Sequence, residues 1–302
     1  MKIGIDLGGS HIGVGLINED KIIISKEKNF TREDRENFKE TIINQIDKMI
    51  KEILEEEKLN INQIELIGIA SPGTIRNGII EKAENLKLEN FMLKDMISEK
   101  YNIPVIIRND AKAASLAEKK YGAMKDYSDC IFLTIGTGIG GAAYIGGKLL
   151  EPKRFSGFEF GHMVLNKDGR LCACGKKGCF EAYASIKALK MQVTKDLDID
   201  SDVTGQYLRE NLLIKDDPAV KADIDMFIDY LKTGICNLID IFEPEVVCLG
   251  GSFAYYEGNP VLYKLLDKLN EPISTFNHNN KPKFILAKYK NDAGIIGATI
   301  EN

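Results

Sequence analysis

Four residues in one glycine-rich segment carry side chains that bind a soft or borderline metal. His162 precedes Cys172, Cys174 and Cys179 within 18 positions. One imidazole and three thiolates form the full ligand set of a closed tetrahedral zinc site. The alternative is a buried histidine next to three reduced cysteines that cluster by chance. We predict a structural zinc that leaves no open position for a metal-activated water.

Two glycine-rich turns, each between two apolar runs, could bind phosphate. The first spans residues 6–10 (Asp-Leu-Gly-Gly-Ser) and the second spans residues 136–141 (Gly-Thr-Gly-Ile-Gly-Gly). Each could be only a tight hairpin turn, but backbone N–H groups in such turns also converge on anions. Asp6 favours phosphate binding, because a carboxylate that ends a buried strand is costly unless it meets a cation. A Mg²⁺ ion carried by a nucleotide would meet that need.

Asp110 lies where a predicted strand ends and a predicted helix begins. Ligands of open α/β sheets gather at the carboxyl ends of strands. Asp110 could therefore be a general base that takes the proton of an attacking hydroxyl, since phosphoryl transfer needs one residue to orient the nucleophile. It could equally be a helix N-cap, which is a common use of aspartate. The local sequence leaves both interpretations open.

Two glutamates, Glu159 and Glu181, flank the cysteine cluster. They could be solvated surface charges, or they could accept hydrogen bonds from sugar hydroxyls on a metal-braced loop. Their spacing does not decide between these roles.

The elements that would position these residues alternate between strand and helix. Apolar residues at helical spacing, from Phe38 to Ile53, predict a helix over residues 33–57 with one buried face. Gly122 is the expected C′ residue of a helix over residues 111–120. The final segment, 292–298, predicts a small-residue helix packed closely against another element. Strands are predicted at residues 3–7, 11–17, 22–24, 64–70, 105–107, 131–135, 142–145 and 246–249.

Composition narrows the class of protein. The chain has 302 residues, of which 44% are hydrophobic and 28% charged, with a formal net charge of −5. This charge argues against a nucleic-acid partner. No secretory signal or membrane-spanning run is present, and six cysteines are too sparse for a disulfide framework. We expect a cytoplasmic protein with two lobes, residues 1–115 joined by a C-terminal helix at 290–302, and residues 116–289.

In its ordered motifs the chain resembles the ROK (repressor, open reading frame, kinase) family of sugar kinases and sugar-responsive repressors. The resemblance covers nearly the whole chain. It implies an α/β, two-lobed, actin-like (ribonuclease H-like) fold with a duplicated strand–glycine-turn–strand core and a zinc loop. The motifs are the two glycine turns, Ser71-Pro72-Gly73, Asn109-Asp110-Ala111, Glu159 to His162, and the Cys-x-Cys-Gly-x-x-Gly-Cys-x-Glu run from Cys172 to Glu181.

The resemblance implies an ATP-dependent hexose kinase, most simply a glucokinase, with Asp110 as the base and with ATP, Mg²⁺ and structural Zn²⁺ as cofactors. It implies zinc ligation by His162, Cys172, Cys174 and Cys179. The implied sugar contacts are Gly73, Asn109, Asp110, Glu159, His162 and Glu181. The implied nucleotide contacts are Asp6, Gly8, Gly9, Ser10, Thr137, Gly138, Gly250 and Gly251. We also expect a homodimer, with no nucleic-acid or membrane partner.

Four positions depart from the family pattern. Ser10 replaces threonine, His11 stands where lysine or arginine is frequent, Lys112 replaces asparagine, and Phe158 replaces a small residue. His11 makes the phosphate environment less positive unless it is protonated, and Phe158 predicts a narrower sugar pocket.

Alternative functions remain. N-acetylmannosamine, N-acetylglucosamine, fructose, allose or a β-glucoside could replace glucose. A sugar-responsive repressor is disfavoured, because the first predicted strand begins at Lys2 and leaves no room for a helix-turn-helix. An actin-like hydrolase is disfavoured by the sugar-loop motifs and the zinc run.

Overall fold

The computed structural model describes residues 1–9, 11–151, 158–271 and 281–301. The chain divides into two compact units. The first contains Met1–Lys125 and Asn291–Asn302, and the second contains Asp126–Leu150 and Phe158–Lys290. Each unit has its own hydrophobic core. Across the described ranges, no helix has the length and apolar character needed to cross a membrane.

The first unit is built on a five-stranded sheet and a small three-stranded one. Their strands are β1 (Lys2–Leu7), β2 (His11–Asn18), β3 (Lys21–Asn29), β4 (Leu66–Ser71), β5 (Thr74–Arg76), β6 (Ile79–Ala83), β7 (Leu88–Phe91) and β8 (Val105–Asn109). The larger sheet has the order β3-β2-β1-β4-β8, with β1 antiparallel to β2 and parallel to β4, which in turn is parallel to β8. The predicted hairpin around the first glycine pair is confirmed. No sequence pattern predicted the small sheet, β5-β6-β7.

Three helices precede the second unit: α1 (Phe38–Glu56), α2 (Leu93–Tyr101) and α3 (Asp110–Lys120). The predicted helix over residues 33–57 is shorter than expected, because Asn37 has φ −120° and ψ 57° and separates α1 from a single 3₁₀ turn at Glu33–Arg35. The predicted apolar face of α1 is buried. Gly122 follows α3 as predicted but not in the left-handed conformation of a helix-ending glycine. A Cβ there would lie 2.2 Å from Glu118 Oε2, so close packing requires the glycine.

The second unit repeats the sheet. Its strands are β9 (Cys130–Ile135), β10 (Ile139–Ile145), β11 (Lys148–Leu149), β12 (Val246–Gly250) and β13 (Lys283–Leu286), in the order β11-β10-β9-β12-β13. The pair β9 and β10 is antiparallel, and β12 is parallel to β9 and to β13. The helices are α4 (Glu181–Ala184), α5 (Ile186–Asp196), α6 (Gly205–Tyr207), α7 (Pro218–Phe242) and α8 (Pro260–Asn270).

The last helix, α9 (Asp292–Ala298), belongs to the first unit and packs against β1, the strand that carries Asp6, and against β4. Its approach is very close. A Cβ on Gly297 would lie 1.7 Å from Ala113 O of α3, and one on Gly4 would lie 2.1 Å from Ile295 O. The predicted close packing of this small-residue helix is confirmed.

Candidate active site and metal cluster

The candidate catalytic residues of the first unit lie at the carboxyl ends of three neighbouring parallel strands. Asp6 of β1 is paired with Ala70 of β4, and Ser71 of β4 is paired with Asn109 of β8. Asp110 begins α3 directly after β8. Because parallel strands end at one edge of a sheet, these residues form the kind of site at which α/β sheets bind ligands.

Negative charge is concentrated at this edge. Burial, and then the charges of Asp110 and Glu27, raise the pKa of Asp6 to about 7. Asp292, at the start of α9, also has a raised pKa because of burial and Glu27. Gly294 leaves room for the Asp6 carboxyl, since a Cβ there would lie 2.7 Å from Asp6 Cγ. Such a group of carboxylates is suited to bind a cation, because the opposite charge stabilises the ionised form of each carboxyl group.

The N-cap of α3 is Asn109 rather than Asp110. Asn109 Oδ1 accepts hydrogen bonds from Ala111 N at 3.1 Å and Lys112 N at 3.3 Å. Asp110 is the first helical residue, and its Oδ1 accepts from Ala111 N at 2.8 Å. The N-cap interpretation of Asp110 is therefore wrong: the neighbouring asparagine fills that role. The positive end of the helix dipole favours the ionised form of Asp110.

Asn109 also fixes the Pro-Gly loop. Its Nδ2 donates to Gly73 O at 3.3 Å. Gly73 has φ +90°, and a Cβ would lie 2.2 Å from Lys82 O, so no other residue fits this loop without strain. Gly73, Asn109 and Asp110, predicted from sequence as sugar contacts, are thus neighbours within the first unit.

The first glycine turn joins β1 to β2. Gly8 N donates to His11 O at 2.9 Å, which closes the turn. The His11 ring lies against Gly8, because a Cβ on this glycine would lie 2.8 Å from His11 Cε1. Ser10, the remaining predicted phosphate contact, lies outside the described residues.

The second glycine turn joins β9 to β10 and lies next to the end of β12. Gly136 N donates to Gly138 O at 2.9 Å, and Gly250 is paired with Thr134. Gly251 has φ +63°, and a Cβ would lie 2.5 Å from Thr134 Oγ1. The predicted nucleotide contacts of the second unit, Thr137, Gly138, Gly250 and Gly251, therefore come from two adjoining segments.

The four predicted metal ligands come together. Their ligand atoms all lie within 4.8 Å of one another. Cys174 Sγ lies 3.6 Å from Cys179 Sγ, and Cys172 Sγ lies 3.7 Å from His162 Nδ1. Tetrahedral Zn–S and Zn–N bonds predict ligand separations of about 3.6–3.8 Å. The residues fit zinc, and His162 faces the cluster through Nδ1.

Zinc binding at this cluster would require its thiols to lose their protons. Burial, together with hydrogen bonds from Cys174 and Cys172, raises the pKa of Cys179 to about 12. Three thiolates at this distance repel one another unless a metal neutralises them, and zinc binds thiolates rather than thiols.

Backbone hydrogen bonds shape the loop around the cluster. Gly175 N donates to Cys172 O at 2.9 Å, and Gly178 N donates to Arg170 O at 2.7 Å. A bridge between Val164 and Cys179 holds the histidine segment beside the last cysteine.

Glu181 links this loop to the second glycine turn, a contact that sequence reasoning missed. Its Oε2 accepts from Ile139 N at 2.9 Å, and its Oε1 lies 4.0 Å from Cys172 Sγ. Gly138 must be small, because a Cβ would lie 2.4 Å from Glu181 Oε2. Since Glu181 and Ile139 are 42 positions apart, no local pattern indicates this contact.

Glu159 precedes a 3₁₀ turn, Phe160–His162, and its carbonyl accepts from His162 N at 2.9 Å. Phe158 before it has φ +54°, where a side chain costs about 1–2 kcal/mol. The Phe158 ring lies 5.9 Å from Phe160 and 6.2 Å from Phe242, between ring centroids. It packs on the core of the second unit, and this packing explains the position of the ring.

Comparisons with known proteins agree with this geometry. The sequence model of the ROK family matches residues 2–300. A glucokinase of Thermotoga maritima is 32% identical, with 98% of this chain and 95% of that protein covered. A ROK family glucokinase of Streptomyces griseus, solved with glucose and AMPPNP, superposes with a TM-score of 0.80 at 27% identity, covering 98% of this chain and 97% of that one. A xylose repressor of Caldicellulosiruptor bescii is 31% identical, covering 98% of this chain and 76% of the repressor.

The chain belongs to the ROK family, and within it to the ATP-dependent sugar kinases. The predicted α/β fold with two similar sheets is confirmed by the likeness to ROK kinase structures.

Proposed function

We propose that this protein transfers the γ-phosphoryl group of ATP to the 6-hydroxyl of glucose, with Asp110 as the general base. The observation that carries the proposal is the position of Asp110. It begins α3, its neighbour Asn109 supplies the cap, and it lies close enough to Asp6 to raise that residue's pKa. The choice of glucose is supported by the Thermotoga maritima glucokinase and by the glucose bound in the Streptomyces griseus structure.

In the proposed reaction the oxygen of the sugar hydroxyl forms a bond to the γ-phosphorus. Asp110 accepts the proton of that hydroxyl as the bond forms. The bond between the γ-phosphorus and the bridging oxygen breaks, and ADP leaves with that electron pair. Phosphoryl transfer needs positioning and charge stabilisation more than covalent chemistry by the protein. A carboxylate at a helix N-terminus suits this role, since the helix dipole favours the ionised form that a base needs.

We assign sugar contacts in the first unit to Gly73, Asn109 and Asp110, and in the second unit to Glu159, His162 and Glu181. The nucleotide contacts would be Gly8, Gly9 and Ser10 in the first unit and Thr137, Gly138, Gly250 and Gly251 in the second. Asp6 would hold the Mg²⁺ that accompanies ATP, directly or through water, and the acidic edge of the first sheet supports this. The ion would neutralise phosphate charge when bound.

We propose zinc in the cluster of His162, Cys172, Cys174 and Cys179, supported by its ligand spacing. Four protein ligands leave no coordination position for substrate. The metal would brace the loop that carries His162 and Glu181.

The experiment is a panel of hexoses with ATP, measured by ADP release and by identification of the sugar phosphate. We expect the highest kcat/KM for glucose and negligible ADP release without sugar. A higher kcat/KM for another sugar would make that sugar, rather than glucose, the proposed substrate. ADP release that does not depend on sugar would reject the kinase assignment in favour of a hydrolase.

A second candidate is a sugar-responsive repressor, which the 31% identity to the Caldicellulosiruptor bescii xylose repressor favours. With a net charge of −5 we predict no salt-sensitive binding to duplex DNA at physiological ionic strength. A specific complex with one DNA fragment would reverse the order of the two candidates.

A further inference from the structure

An arginine from outside the first glycine turn reaches its backbone. Arg35 Nη2 donates to Gly9 O at 2.8 Å, across 26 positions of sequence. Arg35 ends the 3₁₀ turn at Glu33–Arg35 that precedes α1. No local sequence pattern relates this residue to Gly9.

Aromatic packing holds the guanidinium in place. Its Cζ lies 5.0 Å from the ring centroid of Phe38, which is buried at the start of α1. Phe38 in turn packs edge-to-face on Phe30, with ring centroids 4.7 Å apart. A cation over an aromatic face is attracted by the ring, so Arg35 is oriented by two independent contacts.

Asp34, the acidic neighbour of Arg35, forms its ion pair with Lys28 rather than with Arg35. Asp34 accepts from Thr31 N at 2.8 Å and pairs with Lys28 at 3.1 Å. Within the described part of the chain, no ion pair with a carboxylate involves Arg35. A guanidinium has five N–H donors, and the contact with Gly9 O uses only some of them.

A phosphate at this turn would otherwise meet an unfavourable environment. Asp6, two residues before Gly8, already interacts unfavourably with the charge of Asp110, and the Gly9 carbonyl oxygen carries partial negative charge. A permanently charged guanidinium that covers the Gly9 carbonyl offsets these repulsions.

We propose that Arg35 is a phosphate-binding residue of the nucleotide site: it neutralises the Gly9 carbonyl and presents its remaining N–H groups to the phosphate chain of ATP. The inference rests on the proposed function, in which this turn binds phosphate. It assigns a positive charge at this turn to a residue that lies 26 positions away in the sequence.

The test measures equilibrium binding of ATP and of adenosine, without sugar, by calorimetry. The variants are Arg35→Gln, which keeps an N–H donor for Gly9 O but removes the charge, and Arg35→Lys, which keeps the charge. Arg32→Gln, an exposed arginine three positions earlier, is the matched control. We expect Arg35→Gln to weaken ATP binding about tenfold, as the loss of a charged hydrogen bond predicts. Adenosine binding should not change.

Arg35→Lys should recover most of the affinity, and the difference between wild type and Arg35→Gln should shrink as salt is raised. An equal loss for ATP and adenosine, or an equal loss in Arg32→Gln, would overturn the inference. If the wild type does not bind ATP more tightly than adenosine, the proposed phosphate role of the turn fails. If it does and Arg35→Gln binds ATP normally, only the role of Arg35 fails.

Discussion

The two five-stranded sheets have one topology and different chemistry. In each, the first strand is followed by a glycine turn, an antiparallel partner and a parallel neighbour. Where β1 ends in Asp6-Leu7 before its glycine, β9 ends in Thr134-Ile135. The first sheet thus places a carboxylate at its edge and the second places a hydroxyl.

The surroundings of the two turns differ in the same sense. The first follows Asp6, whose pKa is raised by burial and by the charges of Asp110 and Glu27. The second is fixed by protein groups, with Glu181 on Ile139 N and Gly251 against Thr134. The comparison teaches that one copy of the motif brings acidic side chains together, whereas the other is braced by internal hydrogen bonds and by the loop that carries the cysteine cluster.

Among variants that test this contrast between the two units, Asp110→Asn is expected to have the largest effect on activity. Asparagine keeps the shape but cannot accept the proton, so kcat should fall by about 10²–10⁴ with a smaller change in sugar KM. Steady-state kinetics with glucose and ATP measure both. The matched control is Asp217→Asn: Asp217 caps α7 through Ala219 N and Val220 N, and asparagine caps about as well as aspartate. It should leave kcat unchanged. A folded Asp110→Asn protein with kcat within a few-fold of wild type would reject the base assignment.

In the second unit the corresponding test is Cys174→Ser. Elemental analysis should find about one zinc per wild-type chain and much less in the variant. Because metal binding supplies folding energy to its loop, we expect loss of activity and a melting temperature lower by several degrees. Cys236→Ser, which alters a half-buried cysteine of α7 outside the cluster, should change neither. Fully active, metal-free wild-type protein would contradict the zinc assignment.

A smaller effect is expected from Glu181, for which two variants separate bracing from sugar binding. Glu181→Gln keeps an acceptor for Ile139 N, so we expect a raised KM for glucose and an unchanged KM for ATP. Glu181→Ala leaves that N–H without its acceptor, which costs about 1–3 kcal/mol where it is buried. We expect the KM for ATP to rise as well. Equal KM values for ATP in wild type and Glu181→Ala would show that the second turn does not need this brace.

The sequence predicted the repeated motif well because it is written in local patterns. Alternating apolar residues mark β1 and β9, and the helical spacing of α1 identifies its buried face. The cysteine cluster was predictable because three of its four ligands lie within eight positions, in a loop that glycines allow to close.

What the sequence did not reveal depends on distant contacts or on local competition. Asn109, not Asp110, caps α3, because either side chain suits the position and only the backbone geometry selects one. The bonds from Arg35 to Gly9 and from Glu181 to Ile139 join residues far apart in the chain. The second hairpin also extends further than predicted, since Ile139–Ile145 is strand where residues 139–141 were expected to be turn.

The smallest expected effect concerns Asp223 of α7, a buried acid in the second unit. Burial, then the charge and hydrogen bond of Asp196, raises its pKa to about 6, and its Oδ2 has no hydrogen-bond partner among the described residues. A folded-state pKa above the unfolded value of 3.8 means that ionisation destabilises the fold. The stabilisation is complete below about pH 4 and is lost as the pH rises through 6.

Asp223→Asn should therefore raise the melting temperature by a few degrees at pH 7.5 and leave it nearly unchanged at pH 4.5. Asp225→Asn is the control, since Asp225 is exposed on the same helix and pairs with Lys264, and surface pairs contribute little.

Asp6 and Asp223 both have raised pKa values, but only Asp6 lies at a strand end beside Asp110. Asp223→Asn should accordingly keep wild-type kcat and KM, whereas Asp6→Asn should lose activity. A loss of activity in Asp223→Asn without a change in stability would break the comparison, because a buried acid of the braced unit would then serve the reaction.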